Sequence, residues 1–313
     1  MLKRWISNFK KKNRSKFYNL GIKLIIVAII IFIATVIISI RGNSQNEENK
    51  NKSVYNPTST VISGKNITEE KYKENKNIVD KFMQYCNEKN VQAAYDMLSE
   101  ECKENQYKDI EVFNKIIIKQ IFNTKRTYNI QSWVNNSKFN VYRIRITEDL
   151  LATGNYDNTK KYETYITTYP NSEKISIGEY IYKEEINKKN NTDIVEAVVL
   201  NKIIYMDQEE YEVKFKNLSN KEILIDNLKD SKTIRVYGKD GNAYSPYYDK
   251  LYNTNLSVLP GETITVKIKF KKSIASYIES EQIKFSGIIA DYENYKNSQE
   301  NYKEKLETIN IKF

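Results

Sequence analysis

Tyrosine is the residue type best placed to do recognition chemistry in this sequence. Four of its 25 tyrosines, Tyr244, Tyr247, Tyr248 and Tyr252, fall within AYSPYYDKLY (243–252). Exposed in a loop, they suit contacts with a glycan or a protein, because each ring pairs an apolar face with a polar tip. A plainer role, covering the fold beneath the loop, suits them equally. Catalysis has less to work with. The chain has no histidine, which removes the commonest general base, the Ser-His and Cys-His nucleophile pairs and every His-ligated metal site. Two cysteines, Cys86 and Cys102, cannot build a disulfide framework or a four-thiolate zinc site. Asp240-Gly241-Asn242 offers one carboxylate without the spaced oxygen ligands of a calcium loop, and reads as a hairpin turn. Phosphate-loop, dinucleotide and Ser-x-x-Lys motifs are absent. Asp80 and Asp96 sit on polar faces of helical patterns, so no lone carboxylate faces an apolar pocket. No catalytic residue, metal ligand or cofactor is expected, and the chain reads as a non-enzyme.

The charge distribution says where the chain sits. The formal net charge is +10, from 50 basic and 40 acidic residues among 313. Residues 1–23 hold eight of the basic residues and none of the acidic ones, which leaves 42 against 40 in the remainder, a net of +2. The basic balance therefore belongs to the N-terminal tail, and no clustered patch suited to nucleic acid follows it. Residues 24–40 (LIIVAIIIFIATVIISI) carry no charge. At 1.5 Å per residue they span ~26 Å, close to the hydrocarbon thickness of a bilayer. Lys10, Lys11, Lys12, Arg14, Lys16 and Lys23 precede them, so the positive-inside rule puts the N-terminus in the cytoplasm. No A-x-A site follows, so an uncleaved anchor is expected rather than a signal peptide. The chain is thus expected in the cell membrane, single-pass, with the lipid bilayer as one partner and residues 41–313 outside.

The outer part reads as a series of elements. Residues 41–67 are polar and aperiodic, a tether reaching ~28 Å root-mean-square. Thr68 opens a helix with Ile78, Val79, Phe82, Met83 and Cys86 on one face. A second helix follows with Val91, Ala94, Tyr95 and Leu98 inward, and a third from Asp109 with Phe113, Ile116, Ile117 and Ile121 inward. A hairpin of the first two helices separates Cys86 from Cys102 by ~15 Å along the axis, too far for a disulfide. Period-two patterns at 127–135, 139–147, 161–169 and 174–182 predict four strands. Tyr142, Ile144 and Ile146 share one face, and Arg143 and Arg145 the other. This is an α+β domain over 68–185, three helices on a curved antiparallel sheet. Residues 186–192 read as a charged linker. Beyond it, strands are predicted at 194–204, 210–217, 222–226, 232–238, 255–259, 262–270, 283–290 and 306–313, an all-β sandwich over 193–313.

These elements carry three resemblances. Asn90-Val91-Gln92-Ala93-Ala94-Tyr95-Asp96-Met97-Leu98-Ser99, with the element order of 68–185, resembles nuclear transport factor 2-like (cystatin-like) domains. That resemblance implies a cone, and Tyr128, Trp133, Tyr142, Tyr165 and Ile166 are the strand residues that would line it. Such cones are filled with core side chains, hold a small ligand or peptide, or house an enzymatic pocket. ITEDLLATG (146–154) and ISIGEYIYKEEINK (175–188) look like an uncharacterised group of membrane-anchored proteins from low-GC Gram-positive bacteria. Leu259-Pro260-Gly261-Glu262-Thr263, leading into an alternating strand, resembles immunoglobulin-like modules of bacterial surface proteins. The overall order, one N-terminal helix and then outer domains, is similar to that of the anchored inner component of type IV secretion systems. Together these imply a non-catalytic envelope scaffold with other envelope proteins as partners. The alternative is a surface protein sensing a ligand or wall glycan through the cone or the tyrosine loop.

Overall fold

A computed structural model describes residues 60–62, 66–149, 161–252, 254–298, 302 and 306–313. All lie in one compact unit, Pro57–Phe313. The basic tail, the apolar run 24–40, most of the tether and the turn expected at 153–155 fall outside the described residues. Among those described, no helix is long and apolar enough to cross a membrane.

The chain opens with helices. In α1 (Glu69–Asn87), the Thr68 hydroxyl accepts the Lys71 N–H and two glutamates occupy the first turn, where the helix dipole favours them. Tyr72, Asn75, Val79, Phe82, Met83 and Cys86 recur at three- and four-residue steps and are buried. Lys89, at φ 58°, reverses the chain. The expected second helix is two short ones, α2 (Val91–Asp96) and α3 (Glu100–Asn105), capped by Asn90 and Ser99. The third begins, as expected, behind an Asp109 cap as α4 (Ile110–Phe113), then widens into a π-helical turn (Asn114–Lys119). The wider turn changes the phase. Ile117 and Ile118 are buried, whereas Ile116, expected inward, is 39 % exposed.

A four-stranded antiparallel sheet follows, in the order β1 (Arg126–Asn135), β2 (Asn140–Glu148), β3 (Tyr162–Thr168), β4 (Ile175–Ile177). Tyr142, Ile144 and Ile146 face the helices as the alternation predicts, with Ile130, Ile166, Ile175 and Ile177 beside them. Cys86 and Cys102 are buried in the same core as free thiols.

The predicted linker is not a loop. Residues 186–191 continue β5 (Tyr180–Asn191), which pairs with β6 (Val195–Tyr205) from end to end apart from two bulges. Its outer half reads KEEINKKNN because it is an edge strand. Its backbone is bonded to β6 while most of its side chains from Asn187 on face solvent, so no apolar alternation marks it. Then come β7 (Glu209–Asn217), β8 (Ile223–Leu224), β9 (Ile234–Gly238), β10 (Ala243–Tyr244), α5 (Tyr248–Leu251), β11 (Ser257–Val258), β12 (Thr263–Phe270), a 3₁₀ turn (Ile274–Ser276), β13 (Ser280–Ile288), α6 (Tyr292–Ser298) and β14 (Glu307–Lys312). They form sheets β12-β7-β6-β5 and β10-β9-β13-β14, with a small β11-β8 pair. The two larger sheets face each other across one core, where Phe215 meets Phe285 edge-on at 5.0 Å. The fold is mixed helix and antiparallel sheet, most of it sandwich-like, and the predicted sandwich strands fall close to the observed ones.

A third apolar cluster joins the halves. Val134 and Val141 come from the first sheet, Phe139 from its β1–β2 turn, Ile181 from β5, Ile204 from β6 and Ile274 from the 3₁₀ turn. The last residues of the expected tether also belong to the body. Val61 and Ile62 donate backbone N–H groups to the carbonyls of Ser132 and Trp133, and Ile67 is buried in the helix–sheet core.

Gly178 makes the turn from β4 into β5 at φ +95°, and a Cβ there would lie 2.1 Å from Gln106 Nε2. The Gln106 amide is not free to leave, since its Oε1 accepts the Tyr180 N–H. Gly178→Ala should therefore cost about 2–3 kcal/mol. Gly261→Ala, at φ +74° with nothing near its Cβ, should cost only about 1 kcal/mol. Thermal unfolding of the two variants side by side checks the difference.

Candidate functional site

The turn joining β1 to β2 brings Lys138 into a chain of charges. The Asn136 side-chain oxygen accepts the N–H groups of Lys138 and Phe139 at 2.8 and 2.9 Å, which fixes the turn. That turn sends Phe139 into the apolar cluster, with its ring 5.6 Å from both Tyr182 and Tyr277. Lys138 is left at the tip, over the boundary with the sandwich.

Five charges alternate there. Lys202, 2 % exposed on β6, pairs with Glu184 of β5 at 2.7 Å. Glu184 also pairs with Lys138. Lys138 reaches Glu279 at 3.0 Å, and Glu279 closes on Lys239. Hydrogen bonds from Lys239 and then Lys138 hold the Glu279 carboxyl down to about 2, against the opposing push of burial. Burial pushes Glu184 up, but Lys202 and Lys138 outweigh it and its carboxyl stays below the ordinary range.

A second, deeper group lies behind. Lys272 and Glu209, each 2 % exposed, pair at 2.6 Å. The other Glu209 oxygen accepts from the Tyr211 hydroxyl at 2.7 Å and the Ser280 hydroxyl at 2.8 Å. Lys272 also donates to the Ile278 carbonyl at 2.6 Å and lies 5.4 Å from the ring centres of Tyr244 and Tyr277. Burial, and then the Glu209 charge, drive the Tyr211 hydroxyl well above its ordinary value. Both oxygens of this carboxylate are engaged, so it ties β7, β13 and the end of β12 together rather than standing as a free base. Two clefts flank the Lys138 turn and share Ser137 and Lys138. One, of about 870 Å³, is bounded by residues 66–68, Lys71, Lys239, Tyr277 and Glu279. The other, of about 620 Å³, is walled by Tyr169, Pro170 and Tyr182.

The aromatic residues singled out in the sequence do not converge. Tyr142 is 1 % exposed in the helix–sheet core, where Asn75 donates to its hydroxyl at 2.8 Å. Tyr128, half-buried on the same side, donates to Asp80 at 2.7 Å. Trp133 and Tyr165 are on the opposite face, 6.0 Å apart, with the Arg143 guanidinium 5.0 Å from the Trp133 ring. The reason is local. Trp133 is the extra residue of a bulge between Ser132 and Val134, and Tyr165 pairs across from Arg143. One cone lined by all four is thus replaced by two separate environments. The tyrosine loop is dispersed too. Tyr244 packs beside Lys272, Tyr247 lies between Lys250 and Lys271, Tyr248 is half-buried, and Tyr252 is 67 % exposed. Sequence reasoning missed the lysine–glutamate chain. Its one local signal was Lys202, a charge inside the apolar run of β6.

Among the described residues, no group of three or more Cys, Asp or Glu side chains is placed to hold a metal ion. Compared with known proteins, the chain matches no protein-family model, and no curated protein or solved structure is significantly similar to it.

Two outcomes follow for these charges. Glu209→Leu strands Lys272 as a buried, unpaired charge and should cost about 3–5 kcal/mol, whereas Glu209→Leu with Lys272→Met should recover most of that loss. Thermal unfolding of the single and double variants measures it. The Glu279 carboxyl is held below its unfolded value, so its contribution is complete above the ordinary carboxylate range. It is lost as the pH falls from 4.5 to about 2. Wild type should lose more stability across that interval than Glu279→Gln, as read by melting temperature against pH.

Proposed function

We propose that this chain is a single-pass membrane protein of the bacterial cell envelope whose outer body is a non-catalytic interaction module. The supporting sequence observation is the uncharged run 24–40 behind a tail with eight basic and no acidic residues. The observation that carries the functional part is the join between the halves. A shared strand, an apolar cluster and a five-membered charge chain hold the helix–sheet half on the sandwich. Such a body presents the surfaces of both halves in fixed relation, which is what a scaffold needs and what a tether of residues 41–59 would position. The buried Glu209 carboxylate has both oxygens engaged as an internal tie, which favours a structural role over acid–base work at that position.

In this reading the helix–sheet half is nuclear transport factor 2-like, and the antiparallel β-rich half, compatible with such a fold, is immunoglobulin-like. Other envelope proteins are the partners, within an envelope, secretion or conjugation assembly. A second reading, sensing of a ligand or wall glycan, draws on the Tyr169–Tyr182 wall of the smaller cleft.

Protease treatment of intact cells and of opened vesicles tests the topology. Residues beyond 41 should be digested in intact cells, while the basic tail is reached only after opening. Crosslinking the full-length protein in its own membranes should then recover a small reproducible set of envelope proteins, lost when residues 68–313 are deleted. Protection of the outer part in intact cells overturns the topology, and recovery of the protein alone overturns the scaffold.

A further inference from the structure

The larger cleft beside Lys138 has a more positive described lining than the smaller cleft that shares Ser137 and Lys138. Lys71, Lys138 and Lys239 contribute three positive charges, and Glu279 is the one carboxylate among the described lining residues. That carboxylate is already shared between Lys138 and Lys239. Lys71 is half-buried in the first turn of α1 and has no carboxylate partner among the described residues. The excess of two positive charges in this one cleft equals the whole formal excess of residues 24–313.

The uncharged lining is also rich in donors. The Thr68 hydroxyl accepts the Lys71 N–H, which leaves its own proton to give. Ser137 adds a second hydroxyl at the turn. Asn136 spends its oxygen on two backbone N–H groups, and its Nδ2 has no partner. No arginine is among the described lining residues. A planar carboxylate is best held by the fork of a guanidinium, whereas ammonium groups act as point charges on a tetrahedral anion. A local excess of two charges is too small for a nucleic-acid duplex, whose binding draws on many phosphate contacts. The volume of about 870 Å³ admits more than a single inorganic ion.

We propose that this cleft binds a phosphate ester of a small polyol, through Lys71 and Lys239 with Thr68, Ser137 and Asn136 around them. The chemistry is shared by a phosphoglycerol lipid headgroup and by a soluble phosphodiester-linked polyol. The cleft is bounded by residues 66–68, where the chain arrives from its N-terminal side, so either source is within reach of an anchored protein. The site rests on the described residues alone and stands whether or not the topology reading does.

The test uses the full-length protein in maltoside micelles in a phosphate-free buffer, with lysine acylation mapped by peptide mass spectrometry. Glycerophosphoglycerol should lower acylation of Lys71 and Lys239 several-fold, while Lys115 and Lys119 on the π-helical turn stay unchanged. In a second arm, phosphatidylglycerol is added to the micelles. Protection by the soluble ester but not by the lipid assigns a soluble polyol phosphate, and protection by the lipid at a lower concentration than the ester assigns the membrane headgroup. Lys71→Gln should raise the concentration needed to protect Lys239 about tenfold, and Lys71→Arg should restore part of it. Lys71 ties no carboxylate, so its replacement leaves the charge chain in place. No protection in either arm overturns the proposal. So does equal protection by sodium chloride at matched ionic strength, or protection of Lys239 that Lys71→Gln leaves unmoved.

Discussion

Strand β5 belongs to two cores, and the rest of the body is arranged around that constraint. Tyr180 packs into the helix–sheet core and Ile181 into the joining cluster, while the residues to Asn191 complete a sheet of the sandwich. A backbone bonded into a sheet cannot act as a hinge without breaking ladder hydrogen bonds, and unpaired buried backbone groups are costly. The two halves are therefore joined by a sheet rather than by a linker. Once they are held together, the surfaces near β5 must be compatible. The β1–β2 turn sits over β5 and β6, and its Phe139 and Lys138 meet the sandwich as one apolar and one charged contact.

The charged contact does a different job from the apolar one. Val134, Phe139, Val141, Ile181, Ile204 and Ile274 remove apolar surface from water without regard to direction. A pattern of alternating charges is directional. Sliding the turn along the sandwich would place Lys138 against Lys202 or Lys239 instead of between Glu184 and Glu279. Buried or half-buried ion pairs contribute little net stability when their desolvation is counted, but a wrong register leaves charges unpaired, and that is expensive. The chain of five thus fixes where the halves meet more than how tightly they hold.

Much of the fold was legible because burial writes a period into the sequence. The Thr68 and Asp109 caps, the 142/144/146 alternation and nearly every sandwich strand could be read from residue spacing. The failures share one cause, elements whose side chains do not follow burial. The end of β5 is exposed and a bulge falls between Glu185 and Lys188, so KEEINKKNN carries no clean alternation although pairing to β6 resumes and runs to Asn191. The π-helical turn breaks the helical period, so Ile116 was assigned to the wrong side. The candidate site was the least legible part. Lys138, Glu184, Lys239 and Glu279 come from four distant segments, and nothing in a single sequence ties residue 138 to residue 279. Aromatic residues were more conspicuous, yet Tyr142 is core and Trp133 was turned away by a one-residue bulge.

The same body also controls its sheet edges, which bears on how it meets partners. An open edge presents unpaired N–H and C=O groups and invites strand addition. At the start of β1, the Asn87 side-chain amide bonds both the N–H and the C=O of Arg126, mimicking a neighbouring strand. At its end, residues 61 and 62 take the same edge. On the other side of that sheet, residues 97–99 bridge to Ile175 of β4. In the sandwich, the backbone of residues 245–247 bonds to the end of β12, and Lys267 and Thr265 stand exposed along the rest. The helix–sheet half has thus covered the ends of its edges with its own chain. Backbone pairing is closed at these ends of the edges. The charged turn at Lys138 lies away from those covered ends, between the two clefts.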